Sequence, residues 1–196
     1  MSTTPSYIKT ATIILTIICI IISLLPINPY SVGIYPHCGL LQRLTYSFFH
    51  ASLIHAAINT WCILSIVFIY DINIYYIVIA YLTAITFPVE FSVEFLTVVQ
   101  SSPFSASCGS TAVSILPTIG LSSICFSLLG MVSWQTKRKA YYHTWVVSLI
   151  FAGFLIPHLC LLCGYSIATP NNLLHAYSYL VGLFVGFLNS PLPCRK

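Results

Sequence analysis

The chain has 196 residues, of which 58% are hydrophobic and 5% charged, and its formal net charge is +4. Its mean hydropathy of +0.95 excludes a soluble core enclosed by a polar shell. No basic stretch is interleaved with aromatic residues, which excludes a nucleic-acid-binding surface. The composition therefore predicts an integral membrane protein of the all-α class.

Apolar segments recur along the whole chain, and crossing a bilayer takes about 20 apolar residues. No soluble domain, repeat or low-complexity tail separates these segments, so we expect a single domain over residues 1–196. We predict six transmembrane helices near the following segments, the fourth starting a few residues earlier: Tyr7–Leu25, Ala51–Tyr70, Ile72–Phe91, Ser122–Trp134, Tyr142–Tyr165 and Asn172–Leu188.

The distribution of the few charges predicts the orientation. Six helices place both chain ends, and the loops after the second and fourth helices, on the same side of the bilayer. Lys and Arg in short loops favour the cytoplasmic side, and the opposite side keeps only Arg43, Glu90 and Glu94. We therefore predict that the N and C termini are both cytoplasmic. The cations on their side are Lys9, Lys137, Arg138, Lys139, Arg195 and Lys196.

Most of the cysteines fall within predicted helices and are interpreted as small apolar fillers. Cys38 and Cys108 lie in outer loops, and whether they form a disulfide stays open. Cys160 and Cys163 have a metal-like spacing, and His158 lies two residues before Cys160, but a fourth ligand for a structural zinc site is not evident. We predict no metal and no cofactor.

In the second predicted helix, His55 and Asn59 are four residues apart and therefore share one face. His50 points elsewhere and is expected to brace the outer loop. Polar side chains at membrane depth are costly and tend to mark function. Polar residues that only bridge helices produce the same pattern, so both interpretations of His55 and Asn59 stay open on spacing alone.

Ser122 opens the fourth predicted helix, two residues after Gly120, and borders a stripe of small residues. Such a stripe lets a neighbouring helix approach closely. A serine at a helix start is also a common N-cap, so Ser122 alone does not indicate catalysis. Ser110, in the Gly109-Ser110 pair, lacks a following apolar helix and is the weaker candidate nucleophile. The stripe consists of Ser123, Ser127 and Gly130.

In the sixth predicted helix, His175 shares one face with Ser178, Gly182 and Gly186. This face is a second track of small residues, directly below the imidazole. If the two small-residue stripes pack on each other, Ser122 and His175 come within hydrogen-bond reach. A nucleophile and its general base need that geometry.

The scarcity of acids excludes several peptidase mechanisms. A single Asp cannot supply the carboxylate pair of an aspartyl protease, and the His-Glu-x-x-His sequence of a metalloprotease helix is absent. Asp71 should lie about 18 Å along the helix from Asn59, which is too far to complete a triad. A Ser122–His175 dyad remains, with donors to the oxyanion from His55, Asn59 and the Ser122 N–H.

These motifs resemble those of the rhomboid intramembrane serine proteases, and the resemblance spans nearly the whole chain. The family's Gly-x-Ser-Gly with a later glycine is similar to Gly120, Ser122, Ser123 and Gly130. Its His-x4-His-x3-Asn is similar to His50, His55 and Asn59, and its Ala-His with small residues following is similar to Leu174, His175, Ser178, Gly182 and Gly186. Ser123 and Ser178 replace glycines of the family pattern, and Leu41-Gln42 or Gln42-Arg43 replaces an expected Trp-Arg.

The resemblance implies a rhomboid-like bundle of six transmembrane helices in which Ser122 is the nucleophile and His175 the general base and acid. It implies that His55 and Asn59 form the oxyanion hole, and that substrates are single-span membrane proteins cut near the outer face. We expect a multi-pass protein of a bacterial inner (plasma) membrane, in contact with the lipid bilayer and in an oligomeric state left open. The residues expected to support the site are His50, Gly120, Gly130, Gly182 and Gly186.

Two alternatives stay open. One is a catalytically inactive relative that serves as a binding or quality-control module for membrane proteins, although such relatives usually lack the serine or the histidine. The other is a small transporter or ion pathway that uses His55 and His175 as a proton relay. No further buried ionisable group continues such a path in the sequence, which makes the relay the weaker alternative.

Overall fold

The structure is a computed structural model that describes residues 4–90, 117–162 and 171–189. Within these ranges, each segment predicted to be a membrane helix contains a helix of at least 11 residues. The described residues contain no β-strand, so the prediction of an all-α fold is confirmed for this part of the chain. The helices are α1 (Ser6–Ile22), α2 (Leu53–Ile69), α3 (Ile74–Ile85), α4 (Ser122–Val132), α5 (Lys139–Leu162) and α6 (Asn172–Asn189).

Polar caps fix where helices α2 and α3 begin. The Ser52 hydroxyl accepts a hydrogen bond from the His55 N–H at the start of α2. Asn73 Oδ1 does the same for the Tyr76 N–H at the start of α3. Such caps satisfy backbone donors that have no partner within the helix. Between α1 and α2 the chain forms three short helical segments: Pro29–Val32, Leu40–Thr45 and the 3-10 turn Tyr46–Phe48.

Helix α4 lies at the centre of the described structure. Every residue of α4 is buried except Phe126, which is partly exposed. The helix packs most extensively on α6 and also contacts α3 and α2. A helix with no charged residue and no exposed polar face is enclosed by its neighbours. The position of α4 therefore places Ser122, its first residue, inside the bundle.

The small residues of α4 and α6 face each other across a very close helix contact. A Cβ atom added at Gly182 would overlap the carbonyl oxygen of Ser127, and one added at Gly130 would overlap the carbonyl oxygen of Tyr179. Both overlaps are with backbone, which cannot move aside as a flexible side chain can. Any larger residue at either position would push the two helices apart.

Ser178 lies on the same face of α6 and is fully buried. Its hydroxyl has no hydrogen-bond partner among the described residues. A buried hydroxyl without a partner costs about 1–3 kcal/mol, so we expect Ser178→Ala to melt at or above the wild-type temperature. Ser178→Gly, which also removes bulk from this face, is expected to keep activity. A clear loss of melting temperature in Ser178→Ala would mean that the hydroxyl stabilises the fold.

One end of the bundle carries several of the cations. The Thr4 hydroxyl joins the chain start to the turn after α2, donating to the Tyr70 carbonyl at 2.7 Å. At the same turn Asp71 and Gln135 exchange two hydrogen bonds, both of 2.9 Å, which tie that turn to the end of α4. Lys9 lies over the Phe68 ring and Lys139 over the Trp134 ring at this end.

The opposite end holds the segment that leads into α4. Ile34 and Thr118 form an isolated antiparallel bridge, which joins the loop after α1 to the residues just before Ser122. Arg43 forms an ion pair with Glu90 at 2.8 Å at this end. The start of α4 is therefore held by the connection between α1 and α2.

One described helix is long and apolar enough to cross a bilayer by itself: α5, over its stretch Lys139–Ile156. The helical segments Leu40–Phe48 and Leu53–Ile69 pass the same test only as one span bent by 81°. Helices α3 and α4 have 12 and 11 residues. Those lengths correspond to about 18 and 17 Å, against about 30 Å of bilayer hydrocarbon. Six membrane crossings therefore stay a prediction.

The outward faces of the helices around α4 are apolar and exposed. Trp61 on α2 is 76% exposed, and Phe151 on α5 and Phe184 on α6 are each 63% exposed. Soluble monomers rarely expose apolar surface that is continuous over several helices. The described part of the chain therefore has an apolar exterior around a central helix that contains several serines.

Candidate active site

Ser122 and His175 are in direct contact, although 53 positions separate them in the sequence. Ser122 is the first residue of α4, and His175 lies in the first turn of α6. The Ser122 Oγ is 2.8 Å from the His175 Nε2. When the imidazole carries its proton on Nδ1, Nε2 accepts the serine proton. This arrangement is that of a hydroxyl nucleophile and its general base.

Phe126 fixes the orientation of the imidazole. Its ring stacks on the His175 ring at a centroid distance of 4.5 Å with an interplanar angle of 23°. Phe126 lies one turn after Ser122 on α4, so one helix provides both the hydroxyl and the stacking surface. Phe126 is not among the residues predicted from the sequence, although the spacing of four places it on the same face as Ser122.

Asn171 connects the histidine helix to the segment before the serine. Its side-chain oxygen accepts the Leu174 N–H at 3.0 Å, and its carbonyl accepts the His175 N–H at 3.2 Å. Its amide nitrogen donates to the Thr118 hydroxyl at 3.1 Å. Asn171 is likewise not among the residues predicted from the sequence. An Asn before an apolar helical run is a typical N-cap signal, which would have identified it.

Gly120 lets the side chains of α2 reach the backbone beside Ser122. Its φ of +127° is a conformation that L side chains rarely adopt. A Cβ atom at this position would lie 2.8 Å from the His55 Cε1 and 3.2 Å from the Asn59 Nδ2. His55 and Asn59, predicted to share a face of α2, therefore both lie against the Gly120 backbone.

The backbone donors before Ser122 are already used. The Leu121 N–H donates to the His50 Nε2 at 3.3 Å, and the Gly120 N–H donates to the Tyr46 carbonyl at 3.0 Å. His50 thus contacts the chain immediately before the serine, where it supports the start of α4. Its ring also meets the His55 ring edge to face, at a centroid distance of 5.2 Å.

Two donors near Ser122 remain available for a developing negative charge. The Ser122 N–H lies in the first turn of a helix, where backbone donors have no acceptor within the helix. The Asn59 Nδ2 is buried and has no hydrogen-bond partner among the described residues. Preorganised donors of this kind stabilise the oxyanion of an acyl-transfer transition state.

Asn59→Ala is expected to reduce turnover about 10²–10³-fold, as loss of one oxyanion donor does in comparable sites. The variant should remain measurably active, unlike Ser122→Ala. Thr60→Ala is the matched control, because Thr60 is also buried but donates its hydroxyl to its own helix at Ala57. Initial rates on one substrate, with melting temperatures alongside, test the difference. Wild-type turnover in Asn59→Ala would make Asn59 a packing residue.

The other residues named from the sequence either lie farther from the dyad or fall outside the described residues. Gly130, Gly182 and Gly186 line the contact between α4 and α6. Cys38 is a free thiol, and Cys108 and Ser110 lie outside the described residues, as do Glu94, Arg195 and Lys196. The side chains of His158, Cys160 and Cys163 also lie outside the description. In the described ranges no three His, Cys, Asp or Glu residues are grouped to hold a metal ion.

The described site combines a hydroxyl, an imidazole and unpaired amide donors around the start of one buried helix. These groups suffice chemically for nucleophilic acyl transfer. No protein-family model matches this chain, and comparison with curated proteins and with solved structures finds no match.

Proposed function

We propose that this protein is a rhomboid-type intramembrane serine endopeptidase that cleaves single-span membrane proteins. The observation that carries the proposal is the 2.8 Å contact between the Ser122 Oγ and the His175 Nε2. The resemblance of the three sequence motifs to the rhomboid pattern supports the same conclusion. No metal or cofactor has a step in the mechanism that follows.

In the proposed reaction the Ser122 Oγ attacks the carbonyl carbon of the scissile peptide bond. His175 takes the serine proton at Nε2 and then gives it to the nitrogen of the leaving amine. A water molecule then gives a proton to the same imidazole and attacks the ester formed on Ser122. The bond between the carbonyl carbon and the Ser122 Oγ breaks, and the imidazole returns the proton to that oxygen. The stacked Phe126 ring keeps the imidazole in one orientation through both half-reactions.

The negative charge on the carbonyl oxygen develops next to Gly120. The Ser122 N–H and the Asn59 Nδ2 are the donors assigned to it, and His55 borders the same space. Donors that are buried and fixed before the reaction stabilise such a charge more strongly than water does. The dyad needs no carboxylate as a third member at the imidazole. The main chain of Asp71 is hydrogen-bonded to the Gln135 side chain at the other end of the bundle.

The apolar exterior supports a location within a bilayer, with several crossings. Only 11% of the Lys139–Ile156 stretch of α5 is buried inside the protein, as expected for a helix that faces lipid. Lys9 and Lys139 lie at the end of the bundle away from the dyad, and the positive-inside rule assigns that end to the cytoplasm. The dyad would then lie toward the outer face, where water can reach both the dyad and the scissile bond of the substrate.

The test is cleavage in reconstituted liposomes. The purified protein is combined with a library of fluorescently tagged single-span membrane segments, and the products are mapped by mass spectrometry. We expect cleavage of some members near their outer end by the wild type, and none by Ser122→Ala. Members that bind the wild type while none is cut would instead support the inactive binding module. Proton transport across the liposome membrane without cleavage would support the relay.

A further inference from the structure

Tyr46 contacts the chain on both sides of Ser122. It lies in the 3-10 turn before α2 and is fully buried. Its carbonyl accepts the Gly120 N–H at 3.0 Å, and its phenol oxygen lies 3.0 Å from the Ser123 Oγ. Tyr46, from a distant part of the chain, is thus hydrogen-bonded to the second residue before Ser122 and to the residue directly after it.

The direction of the two hydrogen bonds at the Tyr46 hydroxyl follows from its second partner, the Ala84 carbonyl. The Tyr46 hydroxyl is also 3.0 Å from the Ala84 carbonyl, which can only accept a hydrogen bond. The phenol proton therefore goes to Ala84, and Ser123 donates its own proton to the phenol oxygen. All three residues are fully buried. The resulting chain, Ser123 to Tyr46 to Ala84, anchors the first turn of α4 to α3.

The start of α4 needs such an anchor. The first turn of a helix lacks the full set of internal hydrogen bonds and frays easily. Ser122 is the first residue of α4, so its Oγ would move with any fraying. Displacing a reacting group by about 1 Å can cost about 10²-fold in rate. The 2.8 Å contact of Ser122 with His175 therefore depends on what holds its two neighbours.

We propose that Tyr46 is a positioning residue, which sets the Ser122 hydroxyl against His175 through its bonds to Gly120 and Ser123. Its effect on turnover rests on the proposed peptidase function, whereas its effect on the geometry of residue 122 does not. Tyr46 is not a catalytic residue, because its contacts are with the nucleophile's neighbours rather than with the reacting atoms.

The first test is a double-mutant cycle on the Tyr46–Ser123 hydrogen bond. Tyr46→Phe and Ser123→Ala each delete this bond from one side, and each is expected to reduce kcat about 10- to 100-fold with little change in KM. The double variant should be no slower than the slower single variant, because both remove one shared interaction. Multiplying effects in the double variant would overturn the proposal.

Tyr81→Phe is the matched control. The Tyr81 phenol donates to the Leu44 carbonyl at 2.7 Å in the same region, and within the described residues it makes no hydrogen bond to residues 117–123. Its loss should lower the melting temperature without lowering kcat. Equal kcat in Tyr46→Phe and Tyr81→Phe would also overturn the proposal. If Tyr46→Phe yields little folded protein, Ser123→Ala deletes the same bond and carries the test.

The second test does not require peptidase activity. In Ser122→Cys, an imidazole partner should let the introduced thiol ionise and react with iodoacetamide at lower pH than an isolated thiol. The labelled site is identified by mass spectrometry, because the chain has other cysteines. Adding Tyr46→Phe should shift the alkylation profile to higher pH, whereas adding Tyr81→Phe should not. An unshifted profile would reject the positioning role, and absence of peptide cleavage alone would reject only the proposed function.

Discussion

Gly182→Val is expected to lose both thermal stability and activity. A Cβ atom at this position would overlap the Ser127 carbonyl oxygen, so the added side chain must push α6 away from α4. Overpacking of a close contact typically costs about 1–3 kcal/mol, and more when backbone has to move. The same displacement would separate His175 from Ser122, and a shift of about 1 Å would reduce turnover about 10²-fold.

Leu180→Val is the matched control for this prediction. Leu180 lies on the same helix but is 63% exposed. The substitution introduces the same β-branched residue, with its helix-propensity cost, away from α4. The melting temperature and the initial rate of both variants should be compared. If Gly182→Val melts and cleaves as the wild type does, the close contact of α4 with α6 cannot be the basis of the dyad.

Ser122→Ala and His175→Ala are each expected to abolish turnover while the protein remains inserted and folded. A nucleophile and its base act as a unit, so losing either half loses most of the acceleration, on the order of 10⁴–10⁶-fold. The double variant should be no slower than either single variant. Turnover is measured on one cleaved library member, and folding is checked by melting temperature.

Ser110→Ala is the control for the choice of nucleophile. Ser110 directly follows Gly109, whereas Ser122 is two residues after Gly120, and Ser110 should be dispensable. An inactive Ser110→Ala together with an active Ser122→Ala would show that the nucleophile had been assigned to the wrong serine.

Helical periodicity accounts for the features that the sequence predicts well. The spacing of four between His55 and Asn59 gave their common face, and both side chains lie against Gly120. The spacing of His175, Gly182 and Gly186 likewise gave one face of α6, which packs on α4. These predictions succeed because residues four or seven apart in a helix lie on the same face.

The residues that hold the site in place come from contacts between distant segments, which spacing does not encode. Tyr46 meets Ser123 across 77 positions, and Asn171 meets Thr118 across 53. Hydropathy also cannot locate the start of α4, because the apolar residues Ile119 and Leu121 directly precede the helix without belonging to it. Its start at Ser122 depends on hydrogen bonds made by Tyr46 and His50.

Ser123 and Ser178, which stand where the rhomboid pattern has glycines, differ in their surroundings. Ser123 has a hydrogen-bond partner in the Tyr46 phenol, which explains how a hydroxyl fits beside Ser122. Ser178 is equally buried but its hydroxyl has no partner in the described part of the chain. In the sequence both serines are the same departure from the rhomboid pattern. Their hydrogen bonding differs because it depends on side chains from other segments of the chain.

Labelling by a fluorophosphonate probe tests the central claim most directly, because the probe reacts with a serine activated by a base and requires no known substrate. The protein in liposomes is treated with the probe, and the modified peptide is identified by mass spectrometry. We expect modification at Ser122 in the wild type, none in Ser122→Ala, and strongly reduced modification in His175→Ala. An unlabelled wild type that is folded, or a label that persists in Ser122→Ala, would contradict a Ser122–His175 dyad.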